Sequence, residues 1–185
     1  MIAARTSPAK QLERAEAEGW TYSGDMSTEG EVLQVLFALV RVEKPEICVE
    51  TGTYMGHGTK AISDALEMNG RGHLWTIELD EAYEYASRDS VTYIQGDSVE
   101  WAANEAPDFI DLAFIDCGPP EIRVQAFANI FPKVKDDGLL LTHDVSFYED
   151  AFLRELEESI GQQADMVFPA LNGLAIWRKK GLVAT

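Results

Sequence analysis

The chain has 185 residues, of which 46% are hydrophobic and 25% are charged, and its formal net charge is −17. This length suits one domain with a core of its own. So strong a negative charge disfavours nucleic acids and anionic membrane surfaces as partners. We therefore expect a small-molecule substrate, and the sequence leaves a homodimer open.

The N-terminal segment is polar and charged, and PAKQLERAEAEG within it is predicted to form a short helix. It lacks the apolar stretch of a signal peptide, and the longest apolar run, VLFALV at 35–40, is too short to cross a bilayer. Cys48 and Cys117 lie in separate apolar runs, as is typical of buried thiols in a reducing compartment. These features predict a cytoplasmic protein with an N-terminal arm, 1–25, followed by one domain, 26–185.

That domain is predicted to begin with a helix within MSTEGEVLQVLFALVRVEKP. Thr28 and Glu31 have the spacing of a capping box, in which each side chain would bind the backbone N–H of the other residue. Apolar residues at helical spacing then define one buried face. They are Val32, Leu33, Leu36, Leu39 and Val40.

Strands and helices alternate after this helix. The predicted strands are EICVET, HLWTIEL, VTYIQG, FIDLAFID and GLLLTHD, with helices between them, including a short one over EAYEYAS. Continuous apolar strands that alternate with helices indicate a parallel sheet covered on both faces. The last two strands, ADMVFPA and GLAIWRKK, are too close for an intervening helix and predict an antiparallel hairpin. The predicted fold class is α/β, a Rossmann-like doubly wound sheet of seven strands, five parallel followed by an antiparallel C-terminal hairpin.

The first strand ends in an acid and a glycine-rich loop, VETGTYMGHGT at 49–59. In open α/β sheets, ligands bind at the carboxyl ends of the strands. Glycines let the backbone approach a ligand, and the N-terminus of the next helix offers free N–H groups to an anion. This loop therefore predicts a nucleotide-like cofactor. A valine at Gly52 is expected to abolish binding by filling the space of that ligand.

Two cofactors fit this loop. GHGTKA matches the dinucleotide pattern G-x-G-x-x-A, and Glu78 lies 20 positions after Gly58, where an acid would bind the ribose of NAD. However, a dinucleotide turn places its first glycine directly after the strand, and the terminal hairpin is foreign to that sheet. An acid, Glu50, followed by G-x-x-x-G suits S-adenosylmethionine better. The glycines make room for its methionine part, and the acid can hold its ammonium group directly or through water.

With these motifs the chain resembles class I S-adenosylmethionine-dependent methyltransferases, and among them the small catechol and caffeoyl-CoA O-methyltransferases, over roughly residues 26–179. The resemblance implies methyl transfer to a small molecule, with a hydroxyl oxygen as the expected acceptor. An NAD-dependent oxidoreductase and a non-catalytic S-adenosylmethionine-binding protein remain alternatives. The cofactor contacts that the resemblance implies are Met26, Ser27, Glu50, Gly52, Tyr54, Gly56, Thr59, Glu78, Asp97, Ser98 and Asp116.

Polar residues also end the fourth and fifth strands, where Asp116, His143 and Asp144 should converge. In the families that this chain resembles, the matching positions hold a divalent cation, which would lower the pKa of a substrate hydroxyl. Two carboxylates and an imidazole suit Mg²⁺, Mn²⁺ or a softer first-row ion. The same residues are equally compatible with two loop-capping acids and a hydrogen-bonded core histidine.

The general base is the least defined part of the predicted site. Catechol-type enzymes carry a lysine base shortly after the strand-four acid, but this chain has CGPP there, and Pro119 cannot serve. His143 is then the best candidate base, with Asp116 as its catalytic neighbour and His57 as the second choice. The GPP stretch is also similar to a motif of amino-group methyltransferases, although Glu121 replaces the aromatic residue of that motif.

Overall fold

A seven-stranded sheet forms the middle layer of the structure, a computed structural model that describes residues 8–21, 28–80 and 88–181. The strands are β1 (Ile47–Thr51), β2 (His73–Glu78), β3 (Val91–Gln95), β4 (Ile110–Ile115), β5 (Val134–His143), β6 (Met166–Phe168) and β7 (Leu174–Arg178). The helices are α1 (Pro8–Glu18), α2 (Gly30–Glu43), α3 (His57–Asn69), α4 (Ser98–Asn104), α5 (Pro120–Ile130) and α6 (Glu149–Ile160), with a 3₁₀ turn at Phe131–Lys133. Within the described ranges, no helix is both long enough and apolar enough to cross a membrane.

The strand order is β3-β2-β1-β4-β5-β7-β6. Strands β1 to β5 run parallel, and β7 lies antiparallel to both β5 and β6. This confirms the predicted fold class, five parallel strands followed by an antiparallel hairpin. The helix predicted over EAYEYAS lies outside the described residues. Strand β5 begins at Val134, before the predicted GLLLTHD, because its first residues continue the pairing with β4 at Ile110.

Successive residues of each strand point to opposite faces of the sheet, so each strand contributes to two cores. On one face, α2 and α3 bury apolar residues such as Leu36, Ile62 and Leu66. On the other face, α4, α5 and α6 cover a core that contains Phe127 and Trp177, whose ring centroids are 4.9 Å apart. The continuous apolar character of the strands is therefore explained by burial on both sides.

The predicted capping box of α2 does not form. Glu29 is the N-cap residue, and no side chain caps the helix. The carboxylate of Glu31 instead accepts a hydrogen bond from the hydroxyl of Thr21 at 2.8 Å, and the hydroxyl of Thr28 donates to Asp116 at 3.2 Å. Both side chains of the predicted box have tertiary partners, and these replaced the local bonds on which the prediction depended.

The order in which strands are added to the sheet reverses between the neighbouring strands β1 and β4. From β1 it adds β2 and β3 on one side, and it then returns to place β4 and β5 on the other. The loops that follow β1 and β4 leave the sheet at the same edge but in different directions, and this opens a crevice between them. The glycine loop and the acid after β4 meet at that crevice.

Candidate functional site

The glycine loop after β1 lies directly against the loop after β4. Gly52 has a φ of +89°, and a Cβ atom added to it would collide with the backbone carbonyl of Asp116. Gly52 is therefore required for the packing of the two loops. The expectation that valine at this position would only fill ligand space needs correction, because it would first push Asp116 out of place.

Glu50, the last acid of β1, is buried and faces inwards. Its Oε2 atom accepts hydrogen bonds from the hydroxyls of Thr59 and Thr76, the latter at 2.7 Å. Gly58 leaves the space that this carboxyl group needs, because a Cβ atom there would collide with Oε1. Burial raises the pKa of Glu50 to about 7, although the two hydroxyls favour the charged form. Near neutral pH this group can therefore gain or lose a proton.

Thr59, one of the predicted cofactor contacts, faces Glu50. Its side chain is buried, and its hydroxyl donates to Glu50. The hydroxyl is therefore not free to bind a cofactor carboxylate, and the N-terminus of α3 is left as the anion-binding element. Gly56 is the N-cap of that helix, with a φ of +74°.

Glu78 ends β2 and stands beside the glycine loop, as predicted. Its Oε2 atom accepts the backbone N–H of Tyr54 at 2.8 Å, and its Oε1 atom accepts that of Leu79 at 2.8 Å. The side chain of Tyr54 is 53% exposed, and its backbone has a φ of +42°. Glu78 thus shapes the loop and also presents its carboxylate to the crevice.

Two further predicted cofactor contacts lie at α4. Asp97 is the N-cap of this helix, and its Oδ1 atom accepts the N–H groups of Val99 and Glu100 at 2.8 and 2.9 Å. Ser98 is buried at the first helical position. Neither side chain lines the crevice in the described part of the chain. Met26 and Ser27 lie outside the described residues.

Asp116, His143 and Asp144 converge as the sequence predicts, and one ligand atom from each lies within 4.8 Å of the others. The Nδ1 atom of His143 is 3.4 Å from Asp116 Oδ2 and 3.4 Å from Asp144 Oδ1. Asp144 adopts a φ of +64°, which turns the chain sharply after β5. The three side chains form the floor of the crevice, and we call them the acid–histidine cluster.

A fourth carboxylate, which sequence reasoning missed, completes the surroundings of His143. Glu29 is buried, and its Oε2 atom lies 2.5 Å from His143 Nε2, while its Oε1 atom accepts the backbone N–H of Asn172 at 3.0 Å. Burial alone would lower the pKa of His143, but the charges of Asp144 and Asp116 raise it well above its ordinary value. Each ring nitrogen faces carboxylate oxygens, an arrangement that favours the protonated ring and argues against His143 as the general base.

Arg123 is the other residue that sequence reasoning missed. Its guanidinium group is buried between the two aspartates, with Nη2 3.3 Å from Asp116 Oδ1 and Nη1 3.1 Å from Asp144 Oδ2. Burial would raise the pKa of Asp116, but the charges of His143 and Arg123 hold it below its ordinary value. The sequence carries no clear local signal for this role, because the helix stretch PPEIRVQAF also contains Glu121 and Gln125.

One cavity of about 390 Å³ joins these parts of the molecule. One end, which we call the cofactor end because the sequence predicts the cofactor there, is lined by Glu50, Gly52, Tyr54, His57 and Glu78. The other end, which we call the acceptor end because the predicted reacting residues lie there, is lined by Asp116, His143, Asp144, Phe147, Tyr148 and Asn172. The cavity is of the size that small-molecule sites occupy, and its two ends differ in chemistry.

The N-terminal arm closes one side of the acceptor end. Gln11 of α1 is buried, donates to Asn172 Oδ1 at 2.8 Å and lines the cavity. Arg14 donates to the carbonyl of Leu171 at 2.8 Å. Helix α1 is thus bound to the loop between β6 and β7, and the arm contributes to the site.

A family model described as a methyltransferase domain matches residues 49–145, which is just over half of the chain. The chain therefore belongs to this methyltransferase family, and its fold is that of the class I S-adenosylmethionine-dependent enzymes. The family match favours the methyltransferase interpretation of the glycine loop over the dinucleotide alternative. No curated protein matches the sequence.

Solved structures share the fold at low sequence identity. The O-methyltransferase TomG from Streptomyces achromogenes, involved in tomaymycin synthesis and solved with S-adenosylmethionine, is 15% identical, with a TM-score of 0.69 over 98% of this chain and 92% of that one. A candidate caffeoyl-CoA O-methyltransferase from Staphylococcus aureus is 20% identical, with a TM-score of 0.65 over 94% and 92%. The methyltransferase PaMTH1 from Podospora anserina, bound to S-adenosylhomocysteine, is 14% identical, with a TM-score of 0.64 over 97% and 91%.

Proposed function

We propose that this chain transfers the methyl group of S-adenosylmethionine to a hydroxyl oxygen of a small organic molecule. The observation that carries the proposal is the single cavity that runs from the glycine loop and Glu78 to the acid–histidine cluster. The O-methyltransferase neighbours support an oxygen acceptor, and the net charge of −17 supports a small molecule over a nucleic acid.

The cofactor end offers the groups that this ligand requires. Glu78 lines the cavity and would accept hydrogen bonds from the two ribose hydroxyls, and the N-terminus of α3 would bind the carboxylate of the methionine part. Glu50 can balance the ammonium group, directly or through water, once its own proton has left. Bound S-adenosylmethionine would supply an electrophilic methyl group to the acceptor end.

The acceptor proton has to leave as the new O–C bond forms. The hydroxyl oxygen then gains positive character, so its proton becomes acidic enough for a carboxylate to take. Asp144 suits this role better than Asp116. Asp144 Oδ1 has only a long contact of 3.4 Å with His143, whereas Asp116 Oδ2 also accepts the hydroxyl of Thr28. We assign Asp144 as the proton acceptor and His143 as the charged group that holds it in place.

The acid–histidine cluster does not fit a divalent cation in this arrangement. The carboxylate oxygens that would bind it face the nitrogen atoms of Arg123 and His143 at 3.1 to 3.4 Å. A cation between Asp116 and Asp144 would also lie against the positive guanidinium of Arg123, which is already paired with both carboxylates. No step of the proposed reaction is therefore assigned to a metal.

A calorimetric titration with S-adenosylhomocysteine tests the cofactor, and detection of that product in the presence of hydroxyl acceptors tests the reaction. We expect one binding site, and an Asp144→Asn variant that keeps the cofactor affinity but loses turnover. Glu158→Gln on the exposed face of α6 serves as the control and should retain both. Binding of NADH in place of S-adenosylhomocysteine would reject the proposal.

A further inference from the structure

The buried guanidinium of Arg123 uses all its donors on this chain. Three of them go to the backbone, because Nε donates to the carbonyl of Cys117 at 3.1 Å, Nη1 to that of His143 at 2.8 Å and Nη2 to that of Gly118 at 3.3 Å. These carbonyls belong to the loop after β4 and to the last residue of β5. Arg123 therefore ties together the segments that carry the acid–histidine cluster.

The remaining donors are directed at the two aspartates. Nη2 faces Asp116 Oδ1 at 3.3 Å, and Nη1 faces Asp144 Oδ2 at 3.1 Å. The other oxygen of each carboxylate, Asp116 Oδ2 and Asp144 Oδ1, faces the Nδ1 atom of His143 at 3.4 Å. Each of the four carboxylate oxygens thus has a nitrogen partner from Arg123 or His143.

The guanidinium group has little freedom to leave this place. The side chain of Arg123 is 4% exposed, and its Cζ atom lies 5.9 Å from the ring centroids of both Tyr148 and Phe152. Aromatic faces attract a guanidinium, and the fixed fork of an arginine suits two carboxylates held at once. The packing and the charges therefore hold the group in the same position.

We propose that Arg123 is a built-in cation that takes the place of a divalent metal between Asp116 and Asp144, so that this methyltransferase works without a metal. Arg123 is a positioning residue, since it holds the two carboxylates at the cavity floor and its donors are not free for an acceptor. The inference rests on the proposed methyl transfer only where it says that the reaction needs no metal. Metal binding can be measured without an acceptor, so either proposal can fail alone.

The test is a titration with Mn²⁺, in which electron paramagnetic resonance measures the bound ion. We expect no Mn²⁺ site at the cluster in the wild type, and methyl transfer that is unchanged by EDTA. Arg123→Met removes the cation but keeps an unbranched side chain, so the freed carboxylates should gain one Mn²⁺ site that the wild type lacks. Adding Asp144→Asn to that variant should abolish the new site.

Arg178→Met is the matched control, because Arg178 pairs with Glu43 through a half-exposed side chain on another part of the sheet. It should gain no Mn²⁺ site. The proposal is overturned if the wild type binds one Mn²⁺ that Asp144→Asn removes, or if folded Arg123→Met gains no site. Should Arg123→Met not fold, the wild-type titration with its Asp144→Asn control still decides the question.

Discussion

The acids at the two ends of the cavity have different hydrogen-bonding and charge partners. At the cofactor end, Glu50 and Glu78 accept hydrogen bonds from hydroxyls and backbone N–H groups, which are neutral donors. At the acceptor end, Asp116 and Asp144 face a guanidinium and an imidazolium. Neutral donors do not cancel the negative charge of an ionised carboxylate, so a cationic ligand can do so. At the acceptor end, Arg123 and His143 already oppose the negative charge of the two aspartates. This difference agrees with the proposed division into a ligand-binding end and an end that holds the proposed reacting groups in position.

The largest expected effect comes from removing the internal cation. Arg123→Ala should lower the free energy of unfolding by about 3 to 5 kcal/mol, because it leaves carboxylates buried without their partner. Urea denaturation measures this loss. Arg178→Ala removes a half-exposed pair with Glu43 and should cost no more than about 1 kcal/mol. Equal losses in the two variants would show that the acceptor end does not depend on charge compensation.

The next effect tests the buried acid of the cofactor end. The folded-state pKa of Glu50 is raised to about 7 from an ordinary value of 4.5, so ionisation of this group opposes folding as the pH rises. We expect wild type and Glu50→Gln to have similar pH trends below pH 4.5. Between that pH and about 7, the wild type should lose about 3 kcal/mol relative to the variant.

Urea denaturation of both proteins across this pH range measures the difference. Asp64→Asn, which changes a more exposed acid paired with Lys60, is the control and should not remove the pH dependence. A stability difference between wild type and Glu50→Gln that stays constant with pH would mean that the carboxyl group is not held in its neutral form.

A third prediction concerns ligand affinity. Glu78→Ala should weaken the binding of S-adenosylhomocysteine by about 1.5 to 3 kcal/mol, as expected for hydrogen bonds to a charged group. Part of this loss would come from the hydrogen bonds that Glu78 accepts from the backbone N–H groups of Tyr54 and Leu79, because the variant loses these as well. Calorimetry gives the affinity, and Glu158→Ala is the control. A loss of less than about threefold, roughly 0.6 kcal/mol, would show that the carboxylate points away from the ligand.

The smallest effect separates a structural from a ligand-binding acid. Asp97→Ala should lower the stability by about 1 kcal/mol through loss of the N-cap, whereas Asp97→Asn should preserve it. Because Asp97 does not line the described cavity, we expect Asp97→Asn to bind S-adenosylhomocysteine as the wild type does. A clear drop in calorimetric affinity for Asp97→Asn would instead place this acid beside the adenine, as the family resemblance implies.

The sequence predicted where the acids at the strand ends lie better than what they contact, for a physical reason. Glu50 and Glu78 each end a strand, so the local pattern of strand, acid and glycine already predicts where they lie. The convergence of Asp116, His143 and Asp144 was predictable in the same way. What these side chains contact was not, because a contact depends on elements that are distant along the chain.

Glu29 and Arg123 show this limit most clearly. Glu29 reaches His143 across 114 positions, and Arg123 reaches Asp144 across 21. Local patterns instead predicted a capping box near Glu29 and an ordinary helix around Arg123. The cap failed because Thr28 and Glu31 have tertiary partners, and the role of Arg123 followed from burial that helical periodicity does not specify.

The hydrogen bond between Gln11 and Asn172 joins two segments that are 161 positions apart, and both line the acceptor end of the cavity. Efforts to change the range of acceptors should therefore randomise α1 and the loop between β6 and β7 together. A substitution of either amide alone would remove the hydrogen bond that joins the two segments. The two segments are therefore best engineered as one unit.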